Sequence, residues 1–77
     1  MSAPAQAVAV KRTLASQIEQ AMNENRLTKA EMARRMETSR SQLNRLLDPE
    51  TESVTLDTLA RAAQAVGRRV KVEIVST

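Results

Sequence analysis

Between residues 28 and 47 the chain reads TKAEMARRMETSRSQLNRLL. The stretch gathers Lys29, Ser39, Arg40, Ser41, Gln42, Asn44 and Arg45, hydrogen-bond donors and acceptors of a size that meets base edges and phosphate oxygens. Arg is the natural bidentate partner of guanine, so Arg40 suggests at least one G contact. Other chemistry is poorly provided for. The chain has no Cys and no His, which removes disulfides, thiol catalysis, imidazole acid–base chemistry and the usual zinc ligands together. Ser, Asp and Lys are present, but no nucleophile–base pair or metal constellation is visible. The expectation is a protein that is not an enzyme and needs no cofactor and no metal.

The charge is unevenly placed. The formal net charge is +3, which alone says little about partners. Its distribution says more. Residues 26–47 hold Arg26, Lys29, Arg34, Arg35, Arg40 and Arg45 against only Glu31 and Glu37, whereas residues 48–57 hold Asp48, Glu50, Glu52 and Asp57 and no cation. A basic segment is thus followed at once by an acidic loop. That loop should point away from DNA, contact a partner, or stand as a plain exposed connection.

The elements that must position these side chains are short. At 77 residues there is room for one domain of modest burial. Phe, Trp and Tyr are all absent, so Leu, Ile, Val, Met and Ala must build the core, and a second copy of the chain is a natural source of further burial. No apolar run approaches the roughly 20 residues of a membrane span. The opening MSAPAQAVAVKR has its charges after a weakly apolar stretch, the reverse of a secretory signal. The cytoplasm is the expected location, at the nucleoid when DNA is bound, with no membrane partner.

Residues 1–11 lack helical spacing and read as a flexible N-terminal arm; residues 12–77 form the domain. A first helix is predicted from about Thr13 to Asn25, with Leu14, Ile18, Ala21 and Met22 on one stripe. Thr28 starts a second, with Glu31 closing a T-x-x-E capping box and Met32, Ala33 and Met36 inward. Ser39 starts a third by the same device, with Gln42 as reciprocal partner and Leu43, Leu46 and Leu47 inward; Pro49 ends it. Thr55 caps a fourth, with Leu56, Leu59, Ala60, Ala63 and Val66 inward, and Gly67 supplies a left-handed stop. Two helix starts so close together give a short helix, a tight turn and another short helix, which is helix-turn-helix spacing.

The tail changes period. Val70, Val72 and Ile74 alternate with Arg69, Lys71 and Glu73, the pattern of a half-buried strand. A lone strand leaves its backbone groups unpaired, so residues 69–75 are predicted to pair with a second copy. With a two-fold axis through Val72, Val70 faces Ile74 of the partner subunit and Lys71 faces the partner's Glu73, both favourable cross-strand pairs. The fold class is therefore mostly α: four to five short helices with a helix-turn-helix, and one C-terminal strand pairing across a homodimer through Val70, Lys71, Val72, Glu73 and Ile74.

LTKAEMARRMETSRSQLNRLL resembles the helix-turn-helix of the lambda repressor and Cro-like family, also called Xre, whose pattern is Leu, a polar cap, Ala-Glu-Leu-Ala, a turn, Ser and an apolar-x-x-Leu ending. SVTLDTLARAAQAVGRRVKVEI resembles a narrower group within it, the HigA-like antitoxins and related small regulators, and together the resemblance covers residues 13–75. It implies a sequence-specific regulator, a repressor, that binds a palindromic operator in double-stranded DNA as a homodimer. It also raises a role as the antitoxin of a type II pair with a cognate toxin as partner. The alternative is a protein-interaction module whose motif no longer touches DNA. By resemblance, Arg40 and Ser41 hold the leading base-reading positions of the third helix, with Asn44 and Arg45 one turn on. Ser39 is counted with them at the helix start. Gln42 serves either as cap partner or as DNA contact. Lys29 stands where family members bind a phosphate at a helix start, while Arg34 and Arg35 are open between phosphate contact and a solvated face. The family usually has Gly in the turn where this chain has Glu37, at a cost of about 1 kcal/mol.

Overall fold

The structure is a computed structural model that describes residues 3–51 and 54–76. Four helices follow one another among the described residues: α1 (Ala3–Glu24), α2 (Lys29–Arg35), α3 (Arg40–Leu47) and α4 (Leu56–Ala65). Helix α3 packs against both α2 and α1, and α4 packs on α1.

Helix α1 begins far ahead of the predicted Thr13. The arm expected over residues 1–11 is instead helical from Ala3, with residues 1 and 2 outside the described residues. Ala is the best helix former, and Pro4 falls in the first turn, where a missing amide costs no intrahelical bond. Thr13 is no cap; its hydroxyl donates back to the Ala9 carbonyl at 3.0 Å. The upstream turns lead into Lys11, which is buried, and Arg12. Both bond to the chain after α3. Contacts of that kind leave no apolar periodicity to read.

The hydroxyl caps on the other helices form as predicted, but the return bond expected from the Gln42 side chain to the Ser39 amide does not. The Thr28 hydroxyl accepts from the Glu31 amide at 3.1 Å, and the Glu31 carboxylate accepts from the Thr28 amide at 3.3 Å, completing the box. The Ser39 hydroxyl accepts from the Gln42 amide at 3.1 Å, and the Thr55 hydroxyl accepts from the Thr58 amide at 3.2 Å. Three helices end the same way. A left-handed residue at Arg26 (φ 55), Glu37 (φ 54) and Gly67 (φ 73) lets the next amide reach back: Leu27 to Met22 at 2.9 Å, Thr38 to Ala33 at 2.9 Å, Arg68 to Ala63 at 2.8 Å. These are Schellman closures. Only one of them rests on the residue that tolerates the conformation without strain.

The core is aliphatic. Ile18, Ala21 and Met22 of α1 meet Met32, Ala33 and Met36, with Leu43 and Leu46 of α3 and Leu59, Ala62 and Val66 from the α4 side. Met32 and Leu43 are completely buried. The inward face of α4 differs from the predicted one: Leu56 and Ala60 are exposed, and Ala62 takes a core position. Leu59, Ala62, Ala63 and Val66 make the continuous stripe, and Leu56 lies at the helix start before that stripe meets α1.

Beyond Gly67 no strand forms among the described residues. Val70 is half-buried beside Leu14, Ile18, Ala21 and Val66 in a groove between α1, the end of α4 and the tail, while Val72, Ile74 and Val75 are exposed. A strand is defined by its ladder, and a single copy of this chain offers the tail no edge to join.

Candidate nucleic-acid interface

Helix α3 has eight residues, too few to be stable by propensity alone. It exists because Ser39 caps its start and Leu43 and Leu46 bury its inner stripe. At 3.6 residues per turn, that stripe sends Ser41 and Arg45 to the opposite side, with Arg40 and Asn44 on one flank and Gln42 on the other. All five are exposed, as are Ser39 and Lys29. The structure thus brings six of the seven sequence-predicted residues onto or beside one short helix, with Lys29 at the start of the helix that precedes it.

The two ends of the motif are fixed differently. At the start of α2 the Thr28 hydroxyl and backbone amide both donate to Glu31, at 3.0 and 3.3 Å. The backbone bond first, then the hydroxyl bond and the nearby Arg34 and Arg35 charges, hold the Glu31 carboxyl below its ordinary value. Of the Gln42 pairing, the hydroxyl half is formed: Ser39 satisfies the Gln42 amide. The turn between the helices is closed by Glu37 in the left-handed region.

Several cations have roles that local spacing does not disclose. Arg35, open in the sequence between phosphate and solvent, donates to the Ala65 carbonyl at 3.2 Å, while Arg34 is exposed. Arg61, which no sequence motif singles out, donates to the Met36 carbonyl at 2.6 Å. Lys11 donates to the Asp48 carbonyl, and Arg12 to the Pro49 carbonyl at 2.9 Å, with Glu50 3.9 Å away. The acidic loop is therefore moored to α1. Of these contacts only the Arg12–Glu50 pair is a charge match that the sequence could have suggested; the others reach backbone carbonyls. Glu52 lies outside the described residues.

Of the dimerisation residues, Val70 is half-buried and Lys71, Val72, Glu73 and Ile74 are exposed. Lys71 Nζ lies 2.8 Å from Glu73 Oε1 of the same chain.

Among the described residues no group of acidic, His or Cys side chains could hold a metal ion, and no helix is long and apolar enough to cross a membrane. No curated protein and no solved structure shows significant similarity to the chain. A family model for a helix-turn-helix domain, however, matches residues 1–75. Two capped short helices joined at Glu37 and a match over nearly the whole length lead to one assignment: the chain belongs to the helix-turn-helix domain family.

Proposed function

We propose that this protein is a sequence-specific DNA-binding transcription regulator of the lambda repressor and Cro-like type. It represses by occupying promoter DNA in the cytoplasm. One observation carries the reading: an outward face of Arg40, Ser41, Asn44 and Arg45 on a helix whose start is capped and whose other side is locked into the core. Arg40 and Ser41 address base edges from the first turn of α3, with Gln42 beside them. Asn44 and Arg45 follow one turn on, and Ser39 and Lys29 lie close to the phosphates.

The operator is palindromic because the regulator is a homodimer. Residues 69–75 of two copies pair antiparallel about Val72, setting Val70 against Ile74 of the partner subunit and Lys71 against the partner's Glu73. The alternation of charged and aliphatic residues supports this. The two copies of α3 then address half-sites about 34 Å apart or a multiple of that. The resemblance of the tail to HigA-like antitoxins supports a second role, neutralising a cognate toxin through the outer faces of the helices.

Selection of bound sequences from random duplex DNA at physiological salt tests the reading. The expected result is a two-fold symmetric consensus bound with steep salt dependence. A pool that stays random, with the protein folded, would reject DNA reading in favour of a protein-interaction module. The antitoxin role is tested by coexpression with a small toxin encoded beside this gene, which should restore growth.

A further inference from the structure

We propose that Lys11 and Arg12 are positioning residues for DNA recognition: they hold the C-terminal end of α3, and so its outward face, against α1. The proposal rests on the DNA-binding reading above.

Lys11 is only 5% exposed, unusual for a lysine. Its ammonium donates to the carbonyl of Asp48, the residue that ends α3, across 37 positions of sequence. Asp48 leaves the helix in extended conformation, and its carbonyl accepts this cation just past the helix end. One residue on, Arg12 grips the Pro49 carbonyl at 2.9 Å and lies 3.9 Å from Glu50. The loop is folded to receive them. The Asp48 carboxylate accepts from the Glu50 amide at 2.9 Å, and the Thr51 amide donates to the Asp48 carbonyl at 3.2 Å.

Among the described residues no long-range side-chain bond of this kind acts on the other end of α3, where Ser39 caps locally. A helix of eight residues frays from an unheld end, and the last turn here contains Asn44 and Arg45. The Asp48 amide itself closes on the Asn44 carbonyl at 2.9 Å. Freeing Asp48 therefore loosens the turn that carries the second pair of duplex-facing residues. Lys11 and Arg12 themselves need touch no nucleotide.

The test compares the full-length wild type, Lys11→Met, Lys11→Arg and Arg12→Gln on the selected operator and on random duplex, over a salt series, with thermal melts alongside. Met keeps the aliphatic stem and removes the donor. The expected result is a fall of about tenfold in the operator-to-random ratio for Lys11→Met, the scale of one good base contact. The loss should fall on base pairs read by the last turn of α3, with the slope of affinity against salt unchanged, and Lys11→Arg should restore the ratio. Arg12→Gln should show a smaller effect of the same kind. An unchanged ratio in both Lys11→Met and Arg12→Gln overturns the proposal while leaving the regulator reading intact. A salt slope reduced by about one unit also overturns it, because that marks a direct phosphate contact. If Lys11→Met does not fold, Arg12→Gln decides, since its side chain is half exposed and its loss leaves the core untouched. A wild type that selects no consensus removes the regulator reading and this proposal with it.

Discussion

The guanidinium of Arg61 donates to the Met36 carbonyl across 2.6 Å, and Arg35, beside Met36, donates to the Ala65 carbonyl at 3.2 Å. Each arginine comes from one helix and caps the carbonyl end of the other, so α2 and α4 are tied twice by charge-assisted bonds. Arg61 makes the part-buried bond of the two, and Met36 adjoins the Glu37 turn. Arg61→Ala should destabilise the domain by about 1.5–3 kcal/mol, the range for a hydrogen bond to a charged group. Urea denaturation followed by far-UV circular dichroism measures it. A change within error would mean that water replaces the bond at no cost.

Glu37 is held at φ 54, a region in which a side chain is strained and Gly is not. Glu37→Gly should raise stability by about 1 kcal/mol, after allowing for the extra freedom glycine has in the unfolded chain. The bond from the Thr38 amide to the Ala33 carbonyl should persist. A midpoint lower than wild type in the same denaturation experiment would contradict it.

Stability should also fall in acid through Glu31. Its folded carboxyl is held below the ordinary value, chiefly by the Thr28 amide and hydroxyl, so it binds its proton less readily folded than unfolded. That contribution is complete above the ordinary glutamate range and is lost as the pH falls through the depressed folded value. Glu31→Gln can still cap Thr28 but cannot titrate. The difference in melting temperature between wild type and Glu31→Gln should therefore shrink or invert on acidification, as thermal melts across the acid range would show.

On DNA, Arg40→Ala should weaken operator binding by about 1–3 kcal/mol and broaden the base preference at one position of each half-site. Arg45→Ala should weaken binding as well. If its role is phosphate contact, the loss is even across sequences and the salt slope drops by about one unit. Fluorescence anisotropy with labelled duplexes in a salt series separates the two. Equal affinity of both variants and wild type for the selected operator would remove α3 from the interface.

Val72→Pro should abolish the homodimer, because proline removes a ladder donor at the centre of the paired strands. Analytical ultracentrifugation at high micromolar concentration reads this directly. A wild type that stays monomeric, or a variant that stays dimeric, would exclude pairing through residues 69–75.

What was legible in the sequence was local. Thr28, Ser39 and Thr55 cap within three residues of themselves and Gly67 stops its helix in place, so residue type at a fixed offset is enough. The outward face of α3 followed from the inward one. The ties from Lys11 to Asp48 and from Arg61 to Met36 span 37 and 25 positions. They depend on how helices cross, which no spacing rule contains. Residues 3–11 of the expected arm misled for a related reason: alanine-rich helix needs no apolar stripe, and its anchor is a lysine. Leu56 and Ala62 exchanged their expected places because helical periodicity gives a stripe but not where a helix first meets its neighbour.

The length of α1 sets a lower limit on how far the chain can be trimmed. Lys11 sits more than two turns inside the helix that begins at Ala3. A fragment starting at Lys11 would retain every cap and every duplex-facing side chain, yet its ammonium would hang on a frayed first turn. The smallest piece that keeps α3 seated must then begin upstream of every residue that either grips the loop or faces the duplex.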